Sequence, residues 1–182
     1  MKVLKKVLIV GLLGMVSFAN AGDSKVSFGA GKATLKLESH GLSLSHSAAE
    51  YRFGYTFDHV LDNGLFAGFG SSLAYSDGST DIGTKSIDVK IATTNLDIRA
   101  GYKYKSLSAF AIGSGAYQYI DVSHEDLSGS DSGYGFGVGG GLEFAFSKNV
   151  SLEAVYKSYD MTGSDSTEYK YSTVNGSLKI KF

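Results

Sequence analysis

The feature that most constrains this chain is an alternation of apolar and polar residues, which recurs over almost all of its length after residue 21. A period of two places successive side chains on opposite faces of a β-strand, whereas a helix needs a period of 3.6, which is sustained nowhere here. The clearest example is the run 134–146, where Tyr134, Phe136 and Val138 alternate with glycines. The chain also has no proline, which would interrupt hydrogen-bond ladders. These observations predict an all-β fold.

Turn residues divide the alternating region into eight runs. Short connections are predicted at 62–64, 105–106 and 147–149, with a further brief one near 40–41. Longer connections rich in Ser, Gly and Asp are predicted at 76–84, 124–132 and 162–167. An even number of strands with alternating connection lengths predicts an antiparallel up-and-down barrel, with short turns at one end and long loops at the other.

The fourth run is less regular than the others. Val89 and Ile91 lie at odd positions, whereas Leu96 and Ile98 lie at even ones. If one face of this strand is to stay apolar throughout, an extra residue must be accommodated between the two halves. We therefore expect a β-bulge near 93–95.

The first and fifth runs also change phase. In the first run the change falls around 29–31, and in the fifth Phe110 and Ile112 share one phase whereas Tyr117 and Tyr119 share the other. The sequence leaves the facing of both strands undecided.

The segment that precedes the alternating region has the character of an export signal. Lys2, Lys5 and Lys6 are followed by an apolar stretch at 7–16 and by Ala-Asn-Ala at 19–21. The apolar stretch is too short for a membrane-spanning helix, which needs about 20 apolar residues. We therefore predict a signal peptide at residues 1–21 and a single barrel domain at residues 22–182.

Alternation alone does not distinguish a soluble barrel from a membrane barrel, because the two differ only in which face points outward. The polar face carries small residues and charges of both signs, which suit a narrow lumen in which buried charges must pair. The opposite face carries aromatic residues near many strand ends, as in the girdles of outer-membrane barrels. We therefore expect an outer-membrane barrel. The predicted ion-pair residues of its lumen are Arg52, Asp97, Arg99, Glu143, Glu153 and Lys157.

The whole alternating region resembles the small eight-stranded outer-membrane barrels of the OmpA-transmembrane-domain and OmpX type. Its last residues, with Leu178, Ile180 and a terminal Phe182 in alternation, are similar to the assembly signal that the outer-membrane insertion machinery reads in that family. The resemblance implies an all-β, eight-stranded transmembrane barrel in the outer membrane of the Gram-negative cell envelope. Its partners would be outer-membrane lipids, the assembly machinery and, through the polar loops, an extracellular partner.

Several function classes remain to be weighed. We expect a structural or surface-interaction role, with at most a narrow, ion-paired lumen. The alternatives are a small porin for ions or small solutes, a lipid-modifying barrel enzyme and a lipocalin-like periplasmic carrier. A net charge of -1 argues against a nucleic-acid partner, and the absence of cysteine excludes disulfides and thiolate metal sites.

Histidines and acidic residues near the predicted long loops are the only hint of site chemistry. His40, His46 and His124 lie near serines and acids, which raises the questions of a bound metal and of a His/Ser hydrolase. No calcium-loop motif is present, and no nucleophile, base and orienting group are recognisable together. We therefore expect no catalytic residues, no metal site and no cofactor, and consider the acidic residues to be part of solvated loops.

Overall fold

The computed structural model describes residues 22–39, 42–82, 85–124 and 127–182. The predicted signal peptide and the connection at 40–41 lie outside these residues. Eight strands make up the described chain: β1 (Asp23–Ser39), β2 (Leu42–Val60), β3 (Leu65–Ile82), β4 (Lys85–Tyr104), β5 (Leu107–His124), β6 (Leu127–Ala145), β7 (Val150–Gly163) and β8 (Glu168–Lys181).

Each strand pairs antiparallel with its neighbours along the chain, and β1 pairs with β8 to close the barrel. The predicted eight-stranded up-and-down barrel is therefore confirmed. We call the end that contains the β2–β3, β4–β5 and β6–β7 connections the turn end, and the opposite end the loop end. Within the described residues, no helix has the length and hydropathy needed to cross a membrane.

The register of β4 is unbroken on both sides. Its ladder with β3 runs from Leu65↔Tyr102 to Ile82↔Lys85, and its ladder with β5 runs from Asp88↔Ser123 to Tyr104↔Leu107, without a shift. The predicted bulge near 93–95 is therefore wrong. Val89 and Ile91 are buried inside the barrel, whereas Leu96 and Ile98 are exposed on its outside. The apolar face of β4 thus changes from the inside to the outside midway along a regular strand.

The first and fifth strands are also unbroken in register. In β1, Leu35 is buried in the interior, whereas Phe28 is exposed on the outside. In β5, Phe110 and Ile112 point inward and Tyr117 outward. The first strand therefore changes its apolar face in the same sense as β4. The inward apolar residues of β5 instead lie in its turn-end half, where they pack with Phe66.

The three short connections at the turn end are as predicted, and two of them use left-handed backbone conformations. Gly64 has φ 86° and Lys105 has φ 54°. Two of the three predicted long loops are wrong, because β3 continues to Ile82 and β6 begins at Leu127. The polar residues at the ends of these two strands predicted loops only because we assumed that every strand residue faces either lipid or the lumen. The β7–β8 connection, after Gly163, is a turn.

The strands at the loop end have unequal lengths. Strands β7 and β8 have 14 residues each, whereas the other strands have 17 to 20. The β6–β7 ladder ends at Gly133↔Gly163, so the first residues of β6 have β5 as their only ladder partner within the described chain. In the β7–β8 turn, hydrogen bonds from Thr167 lower the pKa of Asp165.

Candidate functional site: the barrel lumen

The outer wall has an apolar belt around its middle. Phe136 is 79% exposed and Ile98 is 76% exposed, although both are large apolar side chains. Exposed aromatic residues flank this belt at the loop end: Tyr51, Tyr75, Tyr117, Tyr134 and Tyr156. A second set flanks it at the turn end: Tyr102, Tyr104, Phe144, Phe146 and Phe182. A lipid-facing band between two aromatic girdles has this arrangement.

Beyond the girdle at the loop end, the outer wall becomes polar. The exposed outward residues there include Lys32, Lys36, Asp88, Lys90, Asp160 and Lys170. The interior changes in the opposite sense over the same length: its inward-facing side chains become apolar towards the loop end. The loop-end half therefore has the distribution of a water-soluble barrel, with charges outside and apolar side chains inside.

The interior of the loop-end half is filled by what we call the apolar cap. It consists of Ala33, Leu35, Val89, Ile91, Ala116, Tyr159, Met161, Tyr169 and Tyr171. Tyr159 and Tyr171 are 0% exposed, and their ring centroids lie 5.9 Å apart. The cap is contributed by β1, β7 and β8 and by β4 and β5 on the opposite side of the barrel, so it closes the lumen towards the loop end.

A hydrogen-bonded network, the central network, lies below the cap. It runs through Lys157, Asp97, Ser114, Tyr159, Asn95, Ser72, Arg52, Glu50 and Tyr171. Lys157 Nζ lies 2.6 Å from Asp97 Oδ2, and Arg52 Nη2 lies 2.7 Å from Glu50 Oε1. Each cation therefore has its own carboxylate, as burial away from bulk water requires.

A closed ring of six alternating charges, the charge ring, fills the lumen nearer the turn end. Its members are, in order, Lys25, Asp58, Arg99, Glu153, Lys179 and Glu143. The nitrogen-to-oxygen distances between successive members range from 2.6 Å to 3.5 Å. Three acids and three bases in a ring leave no net charge, which limits the cost of placing them in a narrow barrel.

Arg99 also joins the ring to an apolar patch. Its guanidinium carbon lies 3.9 Å from the centroid of the Phe110 ring, and Phe110 packs with Phe66 and Ile112. The planar guanidinium is therefore stacked on an aromatic face while its Nη1 donates to Glu153 at 2.9 Å.

Little free space remains between the two charged layers. A cavity of about 40 Å³ lies there, lined by residues that include Asp97, Arg99, Lys157 and Asn175. Since each buried water needs about 10–15 Å³ of such volume, the cavity has room for only a few waters. The lumen is a packed interior.

The inward glycines of β6 make room for this packing. A Cβ atom on Gly137 would lie 2.5 Å from the Tyr159 ring, and one on Gly135 would lie 2.6 Å from the Met161 sulfur. The glycine-rich face of β6 is thus the surface against which the large inward side chains of β7 pack.

The structure places all six predicted lumen residues on the inner face of the barrel. Arg99 and Glu153 meet in the charge ring, and Arg99 Nη2 lies 3.7 Å from Glu143. Asp97 and Lys157 meet in the central network. Arg52 pairs with none of the other five, since its partner is Glu50.

Four charged members of these networks were not among the predicted residues: Lys25, Glu50, Asp58 and Lys179. The signal that identifies them is phase. Glu50 and Asp58 lie an even number of positions from Arg52 on β2, so they share its face. Lys179 shares the inward face of β8 with Ser177 and is 0% exposed.

The structure describes one of the three histidines of interest. His46 is buried at the loop end, and both of its ring nitrogens are without a hydrogen-bond partner among the described residues. His40 lies outside the described chain, and nothing is described of the His124 side chain. The described residues contain no group of three or more potential metal ligands.

A closed eight-stranded barrel with an apolar outer belt, aromatic girdles and an ion-paired interior defines a transmembrane β-barrel of the outer-membrane type. The sequence profile of the family described as "Outer membrane protein beta-barrel domain" matches residues 7–182. The chain belongs to this family, and it is an outer-membrane protein. The soluble-carrier alternative is excluded. Comparison with curated protein sequences finds no match.

Solved structures show the same fold. The attachment invasion locus protein Ail of Yersinia pestis has a TM-score of 0.58 and 18% identity, with 90% of this chain and 100% of Ail covered. Neisserial surface protein A has a TM-score of 0.66 and 14% identity, with coverage of 86% and 97%. The N-terminal barrel domain of Pseudomonas aeruginosa OprF has a TM-score of 0.53 and 16% identity, with coverage of 88% and 98%.

Proposed function

We propose that the protein is a non-conducting outer-membrane barrel that holds an ordered β-surface outside the membrane for contact with an extracellular partner. The observation that carries this proposal is the inversion of the barrel wall at the loop end. A protein that needed only to span the membrane would not require a polar outer wall and an apolar cap beyond its girdle. We infer that the loop end is the external end, because most strands continue well beyond the girdle there, whereas at the turn end the connections follow the girdle directly.

The absence of conduction follows from the three inner layers. An ion would have to pass the apolar cap, whose side chains offer it no replacement for its hydration shell, and then break the charge ring. We expect no steady current from the purified protein in planar bilayers. We expect none from Glu143→Ala either, because the cap remains in place. A reproducible unitary conductance of the wild-type protein would contradict the proposal and favour the small porin.

A lysine patch on the external wall indicates the chemistry of one partner. Lys36 and Lys170 are exposed and directly opposite each other across the β1–β8 ladder, and Lys32 lies on the same face of β1. Like charges in this arrangement repel, so an anionic ligand that bridges them would be favourable. Ail of Yersinia pestis has been crystallised in complex with the heparin analogue sucrose octasulfate. This supports a sulfated glycan as the partner of the patch.

Retention on a heparin column tests the glycan proposal. We expect the wild-type protein to elute at higher salt than Lys36→Gln/Lys170→Gln, because each lost lysine removes a salt-sensitive contact. Lys90→Gln, which removes an exposed lysine of β4 that has Asp77 and Asp121 opposite it, is the control and should elute with the wild type. Equal elution of all three proteins would refute the glycan as ligand and leave the non-conducting barrel untouched.

The C-terminal residues support a second partner, the outer-membrane assembly machinery. Leu178, Ile180 and Phe182 are all exposed on the outer face in a row at the turn end. We propose that this row is the signal the machinery reads. Phe182→Ala should lower the amount of folded, heat-modifiable protein in the outer membrane, whereas the purified variant should refold in detergent as well as the wild type. Equal amounts of the two proteins in cells would contradict this role.

We also propose that the protein is not an enzyme. Of the residues that raised the hydrolase question, His46 is buried inside the barrel, and neither of its ring nitrogens has a hydrogen-bond partner among the described residues. Lipid A from cells with and without the protein should give the same mass spectrum. A shift by one acyl chain would overturn this proposal.

A further inference from the structure

The lumen opens at the turn end into a recess of about 360 Å³, which we call the basic mouth. Its charged lining consists of Lys25, Lys103, Lys105, Lys148, Lys181, Asp23 and Glu143. With five lysines against two carboxylates, this concave surface is strongly basic. The lysines noted near the predicted short turns are thus brought together around one opening.

Most of these charges are already engaged with one another. Lys25 Nζ lies 2.6 Å from Glu143, and both Lys103 and Lys181 pair with Asp23. Lys105 and Lys148 lie in the β4–β5 and β6–β7 connections and are exposed. Neither forms a salt bridge with any described residue. The mouth therefore contains two lysines, Lys105 and Lys148, that pair with no carboxylate of the described chain.

An apolar platform lies on the outer wall beside these two lysines. It consists of Tyr104, Leu107, Phe144 and Phe146, all of them exposed. Leu107 is paired with Phe144 across the β5–β6 ladder, and the Phe144 and Phe146 rings lie 5.1 Å apart. Lys105 Nζ lies 5.3 Å from the centroid of the Tyr104 ring. Lys105 and Lys148 thus lie next to the aromatic girdle, on the side away from the apolar belt.

Girdle residues sit at the depth of lipid headgroups, with acyl chains on one side and phosphates on the other. A lipid whose chain lies on the platform therefore has its phosphate level with the β4–β5 and β6–β7 turns. We propose that Lys105 and Lys148 hold the headgroup of an anionic phospholipid of the periplasmic leaflet, with one acyl chain on the platform. A soluble anion would match the charge of the mouth but would leave the platform unused.

Native mass spectrometry of the full mature protein, released from detergent with bound lipid, tests this proposal. The probes are phosphatidylglycerol and phosphatidylcholine with identical acyl chains. A lysine near a membrane surface contributes about a fivefold preference for anionic lipid, so Lys105→Asn/Lys148→Gln should lose about 25-fold in preference. Asparagine suits the left-handed backbone at position 105. Heat-modifiable migration establishes that the variant is folded.

The control variant is Lys32→Gln/Lys36→Gln, which removes two exposed lysines at the external end and should retain the wild-type preference. Equal retention of the two lipids by the wild type would overturn the proposal. So would an unchanged preference in the turn variant, or loss of preference in the control. Displacement of phosphatidylglycerol by inorganic phosphate at equal concentration would also overturn it, by showing that the mouth binds an anion without its lipid chain. None of these outcomes bears on conduction or on the heparin experiment.

Discussion

The hydroxyl group of Tyr171 donates a 2.6 Å hydrogen bond to Oε2 of Glu50, a residue 121 positions earlier in the chain. Both side chains are 0% exposed. The other carboxylate oxygen of Glu50 accepts from Arg52. Tyr171 belongs both to the apolar cap and to the central network, so this bond attaches the cap to the ion pairs beneath it.

Removal of this hydroxyl group should destabilise the barrel. Tyr171→Phe leaves one oxygen of a buried carboxylate without its donor, so we expect a loss of about 1–3 kcal/mol in the free energy of unfolding. Urea titration of the protein in detergent micelles, followed by circular dichroism, measures it. Tyr156→Phe removes the same atom from an exposed tyrosine and should change stability far less. Equal losses of stability would show that the buried hydrogen bond contributes no more than the exposed hydroxyl group does.

The charge ring should respond strongly to the loss of one cation. Lys179 contacts both Glu143 and Glu153, so Lys179→Met leaves two buried carboxylates short of a partner. We expect a loss of about 3–5 kcal/mol at neutral pH in the same titration.

A second substitution distinguishes charge from packing at this position. Adding Glu153→Gln to Lys179→Met restores neutrality of the ring and should recover part of the lost stability. If the double variant is less stable than Lys179→Met by the full cost of a second lesion, the ring does not act as a unit.

The glycine row predicts opposite outcomes for two chemically identical substitutions. Gly137→Ala places a methyl group 2.5 Å from the Tyr159 ring, whereas a Cβ atom on Gly113 has nothing within 4 Å. We expect Gly137→Ala to cost about 1–3 kcal/mol through overpacking, and Gly113→Ala to be neutral or stabilising. A neutral Gly137→Ala would mean that Tyr159 has room to move and that the lumen is not tightly packed.

Cysteine labelling of living cells tests the inversion along β4, since the chain has no cysteine of its own. A membrane-impermeant maleimide should label Asp88→Cys, which is exposed on the external wall. It should not label Val89→Cys, which is in the apolar cap, or Leu96→Cys, which faces lipid. Labelling of position 89 in preference to position 88 would restore the bulge and reverse the facing of this half of the strand.

The fold class and the inner face of the membrane-spanning half could be predicted because both follow from the period of two. Phe136 and Glu143 have opposite parity on one unbroken strand, so they necessarily face opposite ways. The same rule identifies Lys25 and Lys179, since the parity of each strand is constant throughout its length.

The external half was misjudged for a physical reason. The rule that apolar residues share one face holds within a single solvent, but β4 passes from lipid into water between Leu96 and Asp88. Where the surroundings change, the apolar residues move to the other face although the backbone does not. Val89 and Ile91 therefore suggested a bulge, and the polar residues before Ile82 suggested a loop.

Pairing within the lumen was only partly accessible. Parity tells which charges face inward, but the height of each depends on the stagger between strands that closure imposes. Arg52 consequently pairs with Glu50 on its own strand, although the sequence suggested partners on other strands.

The polar outer wall beyond the girdle has a mechanical consequence. Lys32, Lys90 and Lys170 project from three strands immediately outside the apolar belt, and dragging any of them into hydrocarbon would be costly. The connections at the turn end, which contain Lys105 and Lys148, oppose movement of the barrel in the other direction. Charged residues on both sides of the membrane thereby hold the barrel at one depth. Its external rim therefore stands at a fixed height above the cell surface.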